Sequence, residues 1–319
     1  MFKILIITFG GIALGYLLRQ MKALQWLTKS ISWSIYLLLF FFGLQVGANE
    51  LVVSNLDTLG VKALMIAVAG SLGSCVAAWG LSRWVFHSVE KGQPGNTNLS
   101  GRKNILLEIA KYAAGFITAG FFAVGCVCGV TGIVPGQLCN GEFSMYVLYA
   151  LMAQVGMSIG CDRRLKEMLT SLSPKLFLLP AGTIVGTLMA VAAVNPVIGK
   201  MHLADCMAVG AGFGYYSLSS VLITQIKEPQ MGAVLAAQLG TIALMANIMR
   251  EIITLLFAPA IRKVFGRLAP ISTGGATSMD STLPVITAAC GKEMAFVSIF
   301  HGVLVDFSVP FLVTFFASL

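Results

Sequence analysis

Long apolar runs, separated by short polar stretches, set the pattern of this chain. Eight of them, Phe2–Leu18, Trp26–Gly47, Val61–Phe86, Ala113–Val134, Phe143–Gly160, Lys175–Ile198, Met231–Ala258 and Ala295–Phe316, come close to the roughly 20 residues a helix needs to cross a bilayer. The pattern predicts eight transmembrane helices. Two segments depart from it. One runs from Gly210 to Ser220 and joins Gly210, Gly212 and Gly214 to Tyr215, Tyr216, Ser217 and Ser219. The other, Ile271–Pro284, gathers Gly274, Gly275, Thr277, Ser278, Asp280, Thr282 and Pro284. Glycine and proline interrupt a helix, and an aspartate is costly in lipid. Such backbone is tolerated at membrane depth only inside protein or beside a wet cavity, where transporters use it to hold substrates and ions.

The expected fold is therefore an all-α polytopic membrane protein. It has eight transmembrane helices plus two opposed re-entrant or broken-helix segments, 206–226 and 270–287. Ten crossings with two broken helices is the alternative. Residues 1–319 read as a single integral membrane domain. It comprises a first helical unit (1–86), a cytoplasmic loop (87–103), a second helical unit (104–198) and the region 204–319 with the broken segments. The pattern Phe42–Asn49, with Gly43 and Gly47, recurs at Val155–Asp162 with Gly156 and Gly160, which is compatible with inverted repeats.

Composition supports the membrane assignment: 57% of residues are hydrophobic and 11% charged, against about a quarter charged in soluble domains. Met1-Phe2-Lys3 leads into the first run without a small-residue cleavage site, so this helix is expected to be retained. The seven cysteines fall mostly inside apolar runs as small packing residues, Cys126 and Cys128 lack metal or redox spacing, and histidines are few. No metal and no cofactor are expected. Lys and Arg cluster in loops as topology determinants, so the net charge of +8 does not point to nucleic acid. With re-entrant segments the positive-inside rule puts most basic residues in the cytoplasm. Lys3, Lys62, Lys200, Lys227 and Lys292 then lie outside, Arg250 lies within a span, and both termini are outside. Lys227-Glu228-Pro229 reads as an exposed turn.

Four carboxylates are candidates for chemistry: Glu50, Glu251, Asp280 and Asp306. An ionisable group in the bilayer costs at least about 2.5 kcal/mol, so it serves a pathway or finds a partner. Asn247 and Glu251 are four apart and share a helix face, which Arg250 borders. Arg250 and Glu251 can alternatively neutralise each other, although neighbours on a helix point about 100° apart. Asp280 stands among Thr277, Ser278, Ser281 and Thr282, whose hydroxyls can donate to a carboxylate or line an ion site, or it can cap a helix. Tyr215 and Tyr216 can pack, anchor at an interface or close over a substrate. Asp306, five residues from His301, and Glu50, at a helix end, are the weaker cases. No P-loop, H-E-x-x-H or G-x-S-x-G motif is present, so the reading is a transporter and not an enzyme.

At these segments the chain resembles the bacterial lysine exporter family. The resemblance is carried by Gly212-Phe213-Gly214-Tyr215-Tyr216-Ser217-Leu218-Ser219, by Asn247 with Arg250-Glu251, and by Gly275-Ala276-Thr277-Ser278-Met279-Asp280 with Thr282-Leu283-Pro284. Tyr36-Leu37 to Gly43 and Glu50 fit as well. The resemblance implies export of L-lysine, and of its analogue thialysine, across the inner membrane by proton antiport. It also implies intramembrane acids at Glu50 and Glu251 and distant kinship with sodium/proton antiporter-like folds. The expected partners are L-lysine, protons and the lipid bilayer, and a homodimer is allowed. Substrate and protons are expected at Glu251, Asp280, Glu50, Asn247, Arg250, Tyr215, Tyr216, Ser217, Ser219, Gly275, Thr277, Ser278 and Thr282. The rival is a sodium- or proton-coupled uptake carrier for a small organic anion.

Overall fold

Glycines spaced by four decide how the first helices pack. The computed structural model describes residues 2–18, 27–48, 53, 57, 59–85, 117, 120–135, 142–161, 174–199 and 201–319, and the chain divides into two compact units. The first unit, Met1–Glu50 with Ser82–Leu165, contains α1 (Phe2–Leu18), α2 (Leu27–Gly47), α4 (Gly120–Thr131) and α5 (Glu142–Gly160). On α1 and α5, Gly11 and Gly15 face Gly156 and Gly160, and a Cβ added to Gly15 would lie 2.2 Å from the Met157 carbonyl. On α2 and α4, Gly43 and Gly47 face Gly125 and Gly129, and a Cβ on Gly125 would lie 2.1 Å from the Phe40 carbonyl. Lipid supplies no hydrophobic drive between apolar helices, so backbone-to-backbone contact of this kind does the packing. The two recurring glycine pairs of the sequence thus do the same job. Ser34 adds a hydrogen bond from α2 to Gln154 of α5 (3.1 Å).

The second unit, Leu51–Leu81 with Lys166–Leu319, holds most of α3 (Gly60–Trp84). After it come α6 (Leu178–Ile198), α7 (Leu203–Gly210), α8 (Tyr216–Met231), α9 (Ala233–Phe265), α10 (Ala269–Gly274), α11 (Leu283–Cys290) and α12 (Ala295–Ser318). Gly73 of α3 and Gly186 of α6 cross against each other's carbonyls. Helix α9 is the inner one, 61% buried over its most apolar stretch against 28% for the stretch containing α6.

The expectation of eight crossings, or of ten, is corrected here. Among the described residues five helices are long and apolar enough to cross a membrane: Ser30–Gly47, Gly60–Trp84, Lys175–Ile198, Ala233–Phe265 and Lys292–Ser318. Ile6–Leu18, Gly120–Thr131 and Met145–Gly160 are shorter apolar helices. The described part of the fourth run, Gly120–Thr131, covers about 18 Å at the helical rise, against a hydrocarbon core of about 30 Å. Run length in a sequence includes flanking turns, and hydropathy alone does not say where the helix stops.

The four short helices of the second unit belong to two chain reversals. Lys227 on α8 lies 2.8 Å from Asp205 on α7, both buried. A straight helix would set these residues about 33 Å apart, so α8 turns back beside α7. Lys227 is therefore not in an exposed turn, since the helix runs on through Pro229 to Met231. In the second reversal, Arg267 lies just before α10 and donates to the Cys290 carbonyl at the end of α11 (2.7 Å). Arg262 donates to Ala289 beside it, and Arg267 also pairs with Glu293. These arginines cover the carbonyl end of α11, where positive charge is favourable.

Candidate functional site

The two reversals meet tip to tip. At the first, Phe213 has φ 45° and Gly214 φ 95°. At the second, Gly275 has φ 60° and opens a 3-10 turn to Met279. The Ala276 N–H donates to the Phe213 carbonyl (2.9 Å), joining the tips. A Cβ on Gly275 would sit 2.3 Å from that same carbonyl oxygen, so only glycine satisfies both the dihedral and the approach. Gly275→Ala is expected to lower stability by about 2–3 kcal/mol through left-handed strain and the clash. Thermal unfolding of the detergent-solubilised protein measures this.

One face of α9 braces both tips. Asn247 accepts from the Gly214 N–H (2.8 Å) and places its amide nitrogen near the carbonyls of Val209 (3.2 Å) and Ala243 (2.9 Å) and the Ser219 hydroxyl (3.3 Å). It therefore satisfies the backbone freed on either side of the first break. One turn on, Arg250 donates to the carbonyls of Thr273 (3.0 Å) and Ser272 (3.1 Å), the last turn of α10, and to the Thr187 hydroxyl (3.2 Å). Its guanidinium also lies 5.6 Å from the centre of the Phe213 ring. Arg250 thus caps the negative end of a half-helix and forms no ion pair with Glu251.

Glu251 is 3% exposed. One carboxylate oxygen accepts a hydrogen bond from the Ser281 hydroxyl. The other, Oε2, is buried with no hydrogen-bond partner. Ser281 also reaches Asp280, donating its N–H to Oδ1 (2.6 Å) with its hydroxyl 3.4 Å from the same oxygen. Two carboxylates therefore share one serine. Asp280 and Ser281 are half-buried. Tyr215 and Tyr216 follow directly on the first tip, where α8 begins.

The remaining hydroxyls hold the second tip in shape. Thr277 donates to the Gly274 carbonyl (2.9 Å), and Thr282 to the Thr277 carbonyl (2.9 Å). Ser278 lies 2.7 Å from the Gly275 carbonyl and 3.0 Å from His301 Nδ1, while His301 Nε2 meets the Thr183 hydroxyl (2.8 Å). With the single Ser278 proton on the carbonyl, Nδ1 donates and Nε2 accepts from Thr183.

Asn247, Arg250, Glu251, Asp280, Gly275, Thr277, Ser278 and Thr282 are thus gathered at the crossing. Tyr215, Tyr216 and Ser219 lie on its α8 side. Ser217 is exposed, and Glu50 lies outside the described residues. The Ser281 bridge, the Thr187 acceptor and the Thr183–His301–Ser278 chain did not figure in the expected set, because each depends on residues far apart in sequence. Among the described residues no group of His, Cys, Asp and Glu could hold a metal ion. A cavity of about 10 Å³ beside Asn247 and Arg250, walled by Thr187, Gly70 and Gly210, has room for about one water.

Broken helices that meet at a buried charged centre, in a multi-pass membrane protein, define a transporter of the broken-helix kind. The sequence profile described as "Lysine exporter LysO" matches residues 5–93 and 119–317. The chain belongs to this bacterial lysine exporter family. It is 28% identical to "Lysine exporter LysO" of Escherichia coli strain K12 over the whole of both chains. It is also 31% identical to a Haemophilus influenzae protein named "Putative lysine exporter", over 59% of this chain and 94% of that one. No solved structure matches the chain.

Proposed function

We propose that this protein exports L-lysine, and analogues such as thialysine, from the cytoplasm in exchange for protons, with Glu251 and Asp280 as the shared site. The observation that carries the reading is the buried Glu251 Oε2 with no hydrogen-bond partner. A carboxylate oxygen removed from water needs a proton or a cation against it. Without substrate, a proton held by the acid pair serves. A substrate ammonium serves when the tips part. The family relatives support lysine as the source of that ammonium.

The exchange balances. Facing the cytoplasm, a carboxyl O–H bond breaks, its proton passes to cytoplasmic water, and the ammonium takes its place through N–H···O contacts. Facing outward, lysine leaves and a proton from outside returns to the carboxylate. Arg250 and Asn247 position the tips and take no part in the exchange. We assign both termini to the outer side, on the strength of Arg19, Lys22 and Lys29 after the first apolar run. Counterflow of labelled lysine in proteoliposomes, against a panel of amino acids and organic anions, tests the reading. Movement of an anion and not of lysine would favour the uptake carrier.

Asp280→Asn is expected to weaken lysine binding about 10–100-fold near pH 8.5 and less than about threefold near pH 5.5. The sign follows from competition: at low pH a proton already occupies the wild-type site, so the substitution removes little. Affinity by scintillation proximity across this range checks it, and curves that overlay the wild type would make Asp280 structural.

A further inference from the structure

The shared serine has a consequence for how the two acids hold protons. We propose that Ser281 joins Glu251 and Asp280 into a single unit that carries one proton and exchanges it for one primary ammonium group. The inference rests on the exchange reading above and deepens it.

Ser281 Oγ has one proton and two carboxylate neighbours, Glu251 Oε1 and Asp280 Oδ1. The hydrogen bond to Glu251 takes that proton. The longer contact to Asp280, oxygen to oxygen at 3.4 Å, becomes attractive only when Asp280 carries a proton to donate. The arrangement that gives each oxygen at the bridge a partner is Asp280 O–H to Ser281 O–H to Glu251 Oε1, with Glu251 Oε2 left over. It contains one acidic proton. With none, the serine oxygen faces a bare carboxylate; with two, Glu251 gives up its charge-assisted bond.

The same geometry limits what is bound. Both acids lie within one hydroxyl of each other, so together they face a single cation. The extended lysine side chain would hold its two ammonium groups too far apart for both to enter this unit. One ammonium therefore replaces one proton, and the site keeps the same net charge in both states. The buried, unpartnered Glu251 Oε2 is the oxygen left for that cation. Among the described residues, the other titratable or charged groups around the unit are Arg250 on α9, already bound to the α10 carbonyls, Tyr215 and Tyr216 where α8 begins, and Asp306 and His301 on α12. His301 is committed to Thr183 and Ser278.

The test is the number of protons released per lysine bound, from calorimetry of the full chain in buffers of different ionisation enthalpy, scanned over pH. The wild type is expected to show a plateau at about one proton, as a coupled pair does. Ser281→Ala removes the bridge and destabilises the one-proton state relative to both its neighbours. The plateau is expected to narrow by about one pH unit at each end, with more than one proton released on the acid side and fewer on the alkaline side. Ser281→Thr keeps the hydroxyl and is expected to restore the plateau. Ser281→Cys, a weak donor of similar size, is expected to fall between, and it carries the test if the alanine variant does not fold. A plateau of wild-type width in the alanine or cysteine variant, with lysine still bound, would overturn the proposal. Failure of the wild type to bind lysine would overturn the exchange reading itself, and lysine binding without proton release would overturn the antiport part of it.

Discussion

Glu251→Gln is expected to abolish lysine export, by about 100-fold or more, while the protein remains folded and inserted. The amide keeps the size of the side chain, and its oxygen can still accept from Ser281, so the local hydrogen bond that the structure holds survives. The charge and the exchangeable proton are lost together. Arg250 does not depend on Glu251, because it binds Thr187, Ser272 and Thr273, so no buried cation is orphaned by the change. Labelled-lysine efflux from proteoliposomes, at matched protein abundance and with an unchanged melting temperature, measures the effect. Export at the wild-type rate would remove Glu251 from the mechanism.

The second large effect concerns stability. Lys227→Met is expected to cost about 3–5 kcal/mol, because it leaves Asp205 buried without its ion pair. The two side chains lie 2.8 Å apart and are 5% and 11% exposed, so water cannot take over. Replacing both, as Asp205→Asn with Lys227→Met, is expected to recover most of the loss, since a buried pair owes more to mutual need than to net attraction. Thermal melting of the single and double variants in detergent decides it. Equal losses in the single and double variants would mean that the lysine stem packs and its charge does not matter.

What the sequence made legible follows from the physics of each feature. Family membership was readable because its motifs are local, as in Gly275-Ala276-Thr277-Ser278-Met279-Asp280. The apolar, helical character was readable from composition. The number of crossings was not, because hydropathy marks apolar runs and does not say which of them form helices long enough to span. Lys227 was misplaced for a related reason: Lys-Glu-Pro has the chemistry of a turn, and only the fold brings Asp205 to it. The site shows the same division. Asn247, Arg250 and Glu251 stand out as polar residues on an apolar helix, and Asp280 as an acid among hydroxyls. Ser281 is one hydroxyl among several until Glu251 of α9 is placed against it.

Asn247 and Arg250 are neighbours on one turn of α9, yet each braces a different tip. The two tips therefore inherit together. A substitution that widens one of them displaces the shared helix and is felt by the other, so a change at 210–220 is expected to call for a matching one at 271–284. Recombination between distant members of the family within the stretch from Ala204 to the end of the chain would separate tips that had been fitted to each other.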